Sequence, residues 1–237
     1  MKILLLCWRD TGHPEGGGSE RYLERVAGYL ADQGHTVVFR TASYPDAPAL
    51  SRRDGVTFSR AGGNFSVYVR SWTAMLGARF GVGPIAKVLG GKPDVVVDTQ
   101  NGVPFFARIF SGAPTVLLTH HCHREQWPVA GPIISKLGWF IESRLSPMIH
   151  RRCRYITVSE PSAAELVELG VSPGRIAVIR NGVDPIPEEL QSTEIMADLS
   201  ECDGPAPHLV TLSRLVPHKQ IEHAIDCLLY TSLMARG

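Results

Sequence analysis

Short, unbroken apolar runs alternate with longer stretches whose apolar residues recur at helical spacing, and this alternation constrains the fold most. Asp94 to Asp98 (DVVVD) and Pro114 to Thr119 (PTVLLT) have no polar face along their lengths. Such a strand must be covered on both sides, which is the condition of a central strand in a parallel sheet. Ile3 to Cys7, Thr36 to Thr41, Val56 to Ser59, Tyr155 to Val158 and Arg175 to Ile179 supply further strands. Between the first two, Ser19 to Gln33 carries Leu23, Val26, Ala27 and Leu30 at helical spacing and stops at Gly34. Ser71 to Leu89, interrupted by Gly81, Gly83 and Pro84, and Ser162 to Leu169 also read as helices. The order implies an α/β chain with a doubly wound, mostly parallel sheet over residues 1–184.

Residues 185–207 are rich in Pro, Glu and Asp and read as an interdomain connection. Residues 208–229 then open a second unit: an apolar run, a loop holding Arg214 and Lys219, and a helix from Gln220. Residues 230–237 lose the pattern and read as a non-native tail, so the second domain is expected to be incomplete.

Composition narrows the function. Lysine plus arginine (24) nearly balance aspartate plus glutamate (23), and no global field points to nucleic acid. No run reaches the ~18 uninterrupted apolar residues of a membrane span, and the opening MKILLLCWRD reads as a buried first strand, not a signal peptide. Five scattered cysteines without a CxxC argue against a disulfide scaffold or structural zinc and fit a reducing, cytoplasmic setting. His120, His121, Cys122 and His123 crowd together, yet adjacent residues rarely converge on one ion, and no metal is expected.

Ligands of open parallel sheets bind at the carboxyl ends of the strands. There the chain carries Glu15-Gly-Gly-Gly-Ser-Glu-Arg21, where glycines let a ligand meet backbone and Ser19 can cap the following helix. A flexible turn ending in a cap explains that loop as well. It is not GxGxxG, and no acidic residue closes the second strand, which disfavours a nicotinamide dinucleotide. Thr119 to Trp127 (THHCHREQW) brings titratable and aromatic groups directly after a buried strand; His123, Arg124 and Glu125 could instead order the loop among themselves. Asp98-Thr-Gln-Asn101-Gly102 reads as a polar loop able to line a pocket, or as an Asx-turn. Ser159-Glu160-Pro161-Ser162 is mainly a helix start, with Glu160 free to face a cleft, and Arg180-Asn181-Gly182-Val183-Asp184 is a hinge-like turn. Arg214 and Lys219 beside a helix N-terminus suit a diphosphate.

Taken in order, the Gly17-Gly18-x-Glu20 loop, LLTHH, RNGVD and SRLVPHK resemble the retaining glycosyltransferases of family 4, which have the two-domain GT-B fold built from Rossmann-like halves. The resemblance implies an N-terminal acceptor domain, a C-terminal domain for a nucleotide-diphosphate sugar, and hexosyl transfer with retention between them. By position it assigns the diphosphate to Arg214, Lys219, Gly17 and Gly18. It assigns the cleft histidine to His120, with His121 as the alternative, and cleft or acceptor contacts to Glu20, Asn101, Glu160 and Asn181. A leaving diphosphate needs fixed cations and N–H donors; with Arg and Lys in that role no cofactor is required, the sugar nucleotide being a substrate. The acceptor is a carbohydrate, a lipid or a small molecule.

The family's paired-glutamate segment, which holds the donor sugar and ribose, would lie beyond Lys219, and the expectation for this chain is an inactive fragment. A nucleotide-sugar epimerase or phosphorylase of the same fold, and a non-catalytic Rossmann-like binding domain, are the alternatives. Trp127, Trp139 and Phe140 flank an apolar segment leading to His150-Arg-Arg-Cys-Arg154. That pattern fits either a core helix with a cationic end or peripheral contact at the inner face of a membrane.

Overall fold

The computed structural model describes residues 1–124, 127, 131–188, 211 and 220–234. Contacts divide the chain into two units, Met1–Asn181 and Gly182–Gly237. The first contains an eight-stranded sheet, formed by β1 (Lys2–Leu6), β2 (Thr36–Thr41), β3 (Leu50–Arg53), β4 (Val56–Arg60), β5 (Val95–Gln100), β6 (Thr115–Thr119), β7 (Arg154–Thr157) and β8 (Ile176–Val178). Their order is β3-β4-β2-β1-β5-β6-β7-β8. Every pairing is parallel except β3 with β4, which is antiparallel. The doubly wound, mostly parallel α/β sheet expected from the apolar runs is therefore present.

Helices cover both faces: α1 (Gly18–Asp32), α2 (Ser66–Arg79), α3 (Gly83–Leu89), α4 (Ala107–Phe110), α5 (Pro132–Phe140), α6 (Ser146–Ile149) and α7 (Glu160–Glu168). A π-helical turn, Ile141–Leu145, joins α5 to α6. Alternate residues of the central strands feed two cores. Leu4, Leu6 and Val38 pack with Met75 and Ile85 on the α2–α3 side, while Ile3, Leu5, Val37 and Phe39 pack with Leu23 and Ala27 of α1. Leu4, Leu5 and Leu6 are fully buried, and burying such a side chain contributes roughly 1.5–3 kcal/mol. In the second unit, α8 (Ile221–Met234) extends beyond residue 229, where the helical pattern ends in the sequence.

Two differences from the sequence reading have clear causes. Residues 50–53 (LSRR) form an edge strand that pairs antiparallel with β4 and stays largely exposed, so no apolar run marks it. Thr99 and Gln100, read as loop, continue β5 past Asp98, and all three residues are buried. Each finds an internal partner. Thr99 Oγ1 donates to the Leu6 carbonyl at 2.8 Å, and Ser146 Oγ donates to Gln100 Oε1 at 2.6 Å. Asp98 accepts the backbone N–H groups of Phe105 and Ala107, both at 2.8 Å. It thereby ties the β5 loop to the start of α4, where Phe106 holds a left-handed backbone at φ 55°.

His150 sits behind this turn, its Nε2 3.8 Å from Asp98 Oδ2 and its Nδ1 2.9 Å from the Ser146 carbonyl. Burial pushes the Asp98 carboxyl up to about 7, against the pull of its two backbone N–H bonds. Burial pushes His150 down to about 4, opposed by the Ser146 bond. The two groups bias stability in opposite directions. From the ordinary carboxyl value of 3.8 to about 7, folded Asp98 keeps a proton that the unfolded chain has released, so stability falls as pH rises. From about 4 to 6.5 the unfolded chain protonates His150 and the folded one does not, so stability rises with pH.

The wild-type slopes therefore largely cancel over their shared window. His150→Gln is expected to expose the falling limb, by up to about 1.4 kcal/mol per pH unit, and Asp98→Asn the rising one. Urea titrations of both variants between about pH 4.5 and 6.5 check the opposed signs; slopes of the same sign would refute the pairing.

Candidate active site at the carboxyl rim

Because β1, β5, β6 and β7 are neighbours and parallel, the loops that follow them leave the same rim. After β1, the chain is fixed by Asp10. Its Oδ1 accepts the Gly12 N–H at 2.9 Å, and its Oδ2 accepts Arg60 Nε at 2.6 Å in a buried ion pair. A side chain at Gly16 would lie 2.6 Å from the Asp10 carbonyl, so packing requires that glycine. Gly17 and Gly18 differ. A Cβ at Gly17 would meet only Glu20 Oε2, at 3.4 Å, and one at Gly18 would meet nothing. Neither has a positive φ. Packing and backbone strain thus give no reason for glycine at either position.

The sequence places Ser19 at the helix cap; the structure gives that position to Gly17, and Ser19 lies inside α1. Glu20, buried, accepts both the Gly17 N–H and the Ser19 hydroxyl at 2.9 Å. The acidic residue in the first turn stabilises the positive end of the helix.

His120 follows β6 and meets this corner. Its ring stands edge-on to Tyr22 of α1, with centroids 5.2 Å apart, and its carbonyl accepts Ser162 Oγ at 2.9 Å. Both ring nitrogens are buried and have no hydrogen-bond partner. Burial lowers the imidazole below its ordinary value, His121 and His123 add repulsion, and Glu20 opposes them. The ring thus carries, against the first turns of α1, two buried nitrogens for which the described residues supply no partner. His121 takes a different direction, its ring tilted against His123 with centroids 4.4 Å apart. Burial first, then Glu142 and Glu165, push the Cys122 thiol up to about 12, which disfavours the thiolate.

Glu142, which the sequence reading did not single out, orders the histidine loop. It is fully buried in the π-helical turn. Its Oε1 accepts the His123 N–H at 3.1 Å and lies 3.3 Å from His123 Nδ1, while Oε2 accepts Trp127 Nε1 at 2.6 Å. His123 therefore bonds outside its own loop, and Arg124 lies 5.8 Å from the Trp139 ring; Glu125 lies outside the described residues. The available signal was a lone acid inside an apolar stretch, a position that must be paired if it is buried.

The remaining candidates are spread along the rim. Asn101 follows β5 and bridges to Val103, while a Cβ at Gly102 would fall 2.9 Å from the Trp127 ring. Glu160 is exposed at the start of α7, where Ser159 caps through the Ser162 N–H. Asn181 is exposed and ends the first unit. Arg214 and Lys219 lie outside the described residues. The structure thus gathers Gly17, Gly18, Glu20 and His120 at one corner and sets Asn101 and Glu160 at neighbouring strand ends. Among the described residues no group of three or more His, Cys, Asp or Glu could hold a metal ion.

Trp127 is wedged against Gly138 of α5, where an added Cβ would fall 2.2 Å from the indole. Gly138→Ala is expected to cost roughly 1–3 kcal/mol and to displace Trp127 from Glu142. Urea unfolding and tryptophan fluorescence, with Trp127→Phe as reference, measure both effects; an unchanged spectrum and midpoint would contradict this packing.

Three comparisons bear on this geometry. No curated protein matches the chain in sequence. The crystal structure of Anabaena HepE in complex with UDP and glucose matches with a TM-score of 0.56 at 17% identity, covering 96% of this chain and 57% of that one. The apo form of the lipopolysaccharide outer core galactosyltransferase WaaB matches with a TM-score of 0.45 at 14% identity, covering 79% and 49%. At 17% identity the HepE likeness speaks to the fold alone, and the chain spans 57% of that structure and 49% of the WaaB one. The family model described as Glycosyltransferase Family 4 matches residues 16–186, which include the glycine loop, the histidine run and the Asn181 turn. The chain belongs to glycosyltransferase family 4, and its sheet is the Rossmann-like N-terminal half of a GT-B fold.

Proposed function

We propose that this sheet is the acceptor side of a retaining, metal-independent hexosyltransferase using a nucleotide-diphosphate sugar. The observation that carries the reading is the corner formed by His120, Glu20 and the Gly17–Gly18 backbone. It combines two unmet imidazole nitrogens with glycines that packing does not require. The sugar nucleotide is supported by family membership and by the UDP and glucose bound in the HepE neighbour. Gly17 and Gly18 would admit a phosphate or the acceptor to the backbone. His120 would contact the sugar or leaving group as a neutral donor or acceptor. Arg214 and Lys219 keep the diphosphate role that the family resemblance gives them. His120 is favoured over His121 because its ring packs edge-on against Tyr22 of α1.

In the intact polypeptide, His120→Ala is expected to lower sugar transfer by ~10²-fold or more, and His121→Ala to do less. Gly18→Ala should stabilise α1, by up to about 1 kcal/mol, while weakening use of the sugar nucleotide. A helix that is stabilised without loss of transfer would remove the ligand reading of that glycine. NMR of the product's anomeric centre tests retention, and release of an altered sugar nucleotide without any acceptor would favour an epimerase.

Peripheral membrane contact at a cytoplasmic face is supported by one surface. Ile133, Leu137 and Phe140 of α5 are 81%, 58% and 55% exposed, and Lys136, Arg144, Arg151 and Arg152 are exposed on the same stretch. Apolar side chains beside cations suit an anionic lipid surface. Among the described residues no helix is long and apolar enough to cross a membrane. Vesicles with about one-third anionic lipid should retain the chain at low salt and release it when Leu137 and Phe140 are both replaced by Ser; equal retention of the double variant would discount this surface.

A further inference from the structure

Arg40 is a buried cation without an anion. It lies in β2, 4% exposed, and among the described residues it has no carboxylate partner. Its guanidinium donates to Ser59 Oγ at 3.0 Å and to the Arg70 carbonyl at 3.2 Å, and its Nε is buried without any hydrogen-bond partner. Burial, with Arg70 adding repulsion, pushes it down to about 10, which leaves it charged at neutral pH. An uncompensated buried charge is among the costliest features a fold can carry. Other arginines of the unit show the contrast: Arg9 pairs with Glu15, Arg53 with Glu24 and Arg60 with Asp10.

Arg40 lines a cavity of about 420 Å³ between the outer strands and α2. Ser59 and Arg60 share its wall, and Leu50, Arg70 and Thr73 form an exposed rim. No carboxylate lines it. Asp10 neutralises Arg60 from behind, and Arg70 has no acidic partner among the described residues, so Arg40 and Arg70 remain as two uncompensated positive charges. The volume falls in the range of small-molecule pockets and far exceeds a phosphate group alone. Leu50, Ala74 and Pro84 offer apolar wall to the rest of a ligand.

We propose that this cavity binds a phosphate monoester on a small polar molecule, with Arg70 contacting the dianion directly and Arg40 supplying fixed charge at the floor. Guanidinium groups are matched to phosphate oxygens in charge and hydrogen-bonding geometry. The site lies on β2, β4 and α2 and uses none of the residues assigned to sugar transfer, so it stands whether or not that reading holds.

The test is calorimetric titration of the full chain with glucose 6-phosphate, inorganic phosphate, glucose and UDP. Glucose 6-phosphate should bind and glucose should not, with inorganic phosphate weaker than the ester. Arg70→Ala, at an exposed rim, should weaken the ester at least tenfold without changing the thermal midpoint of the free protein. Arg40→Met should abolish binding and leave the free protein as stable or more so, since it removes a buried charge. If Arg40→Met does not fold, Arg70→Ala decides alone. Equal affinity in Arg70→Ala, binding of glucose as tight as the ester, or displacement of the ester by stoichiometric UDP would each overturn the proposal.

Discussion

The parallel bonding of β1 between β2 and β5 is the constraint on which the rest of the molecule depends. Leu4, Leu5 and Leu6 are fully buried, with alternate residues feeding the two cores, so β1 cannot slip by one residue without exchanging those faces. Once β1 is fixed, its register with Val95 to Asp98 of β5 is fixed, and through β5 that of β6. The glycine loop, the Asn101 turn and the histidine run then leave at one height. What brings Gly17 to His120 is hydrogen bonding in the sheet interior, remote in sequence from both.

Buried carboxylates complete the positioning. Asp10 holds the loop after β1, Asp98 the turn after β5, and Glu142 the loop after β6. In each case carboxyl oxygens accept N–H groups that the rim would otherwise leave unmet. They differ in how charge is balanced. Asp10 has Arg60 beside it; Glu142 has the Trp127 indole and His123. Asp98 has only two backbone N–H groups and a neutral His150; burial outweighs the pull of the N–H bonds and pushes its carboxyl up to about 7. Arg40 inverts the pattern, being a buried cation whose partners are a hydroxyl and a carbonyl.

The strands were legible because central parallel strands are apolar on both faces: β2 spans the residues read as a strand, and β1, β5 and β6 differ by a residue or two. Edge strand β3 was not, since Ser51, Arg52 and Arg53 pair with β4 while their polar side chains lie at or near the surface and form no apolar run. The helix read from Ser71 begins earlier, at Ser66, where Val67 packs in the core beside Met75. Polar strand ends were also missed. Asp98 and Gln100 look like loop residues until the Phe105 N–H and the Ser146 hydroxyl are found opposite them. Glu142 was missed because the residues it binds, His123 and Trp127, lie on a different element, and spacing along one helix carries no trace of them.

What distinguishes function from folding in this chain is the set of residues that the fold itself does not explain. Gly16 is explained by the Asp10 carbonyl, and Gly138 by the Trp127 ring. Gly18 is not: a side chain there would meet nothing, and alanine would be the better helix residue. His120 is not explained either, since neither ring nitrogen is bonded and burial disfavours its charged form. An apolar ring would satisfy the contact with Tyr22 equally well. Each residue alone is a small anomaly of the kind any sheet can tolerate. They occur at adjoining ends of α1 and β6, at the carboxyl rim where an open parallel sheet receives its ligands. Neither the bare backbone nor the unmet imidazole contributes to folding there, and the ligand-binding role proposed for this corner rests on that double departure.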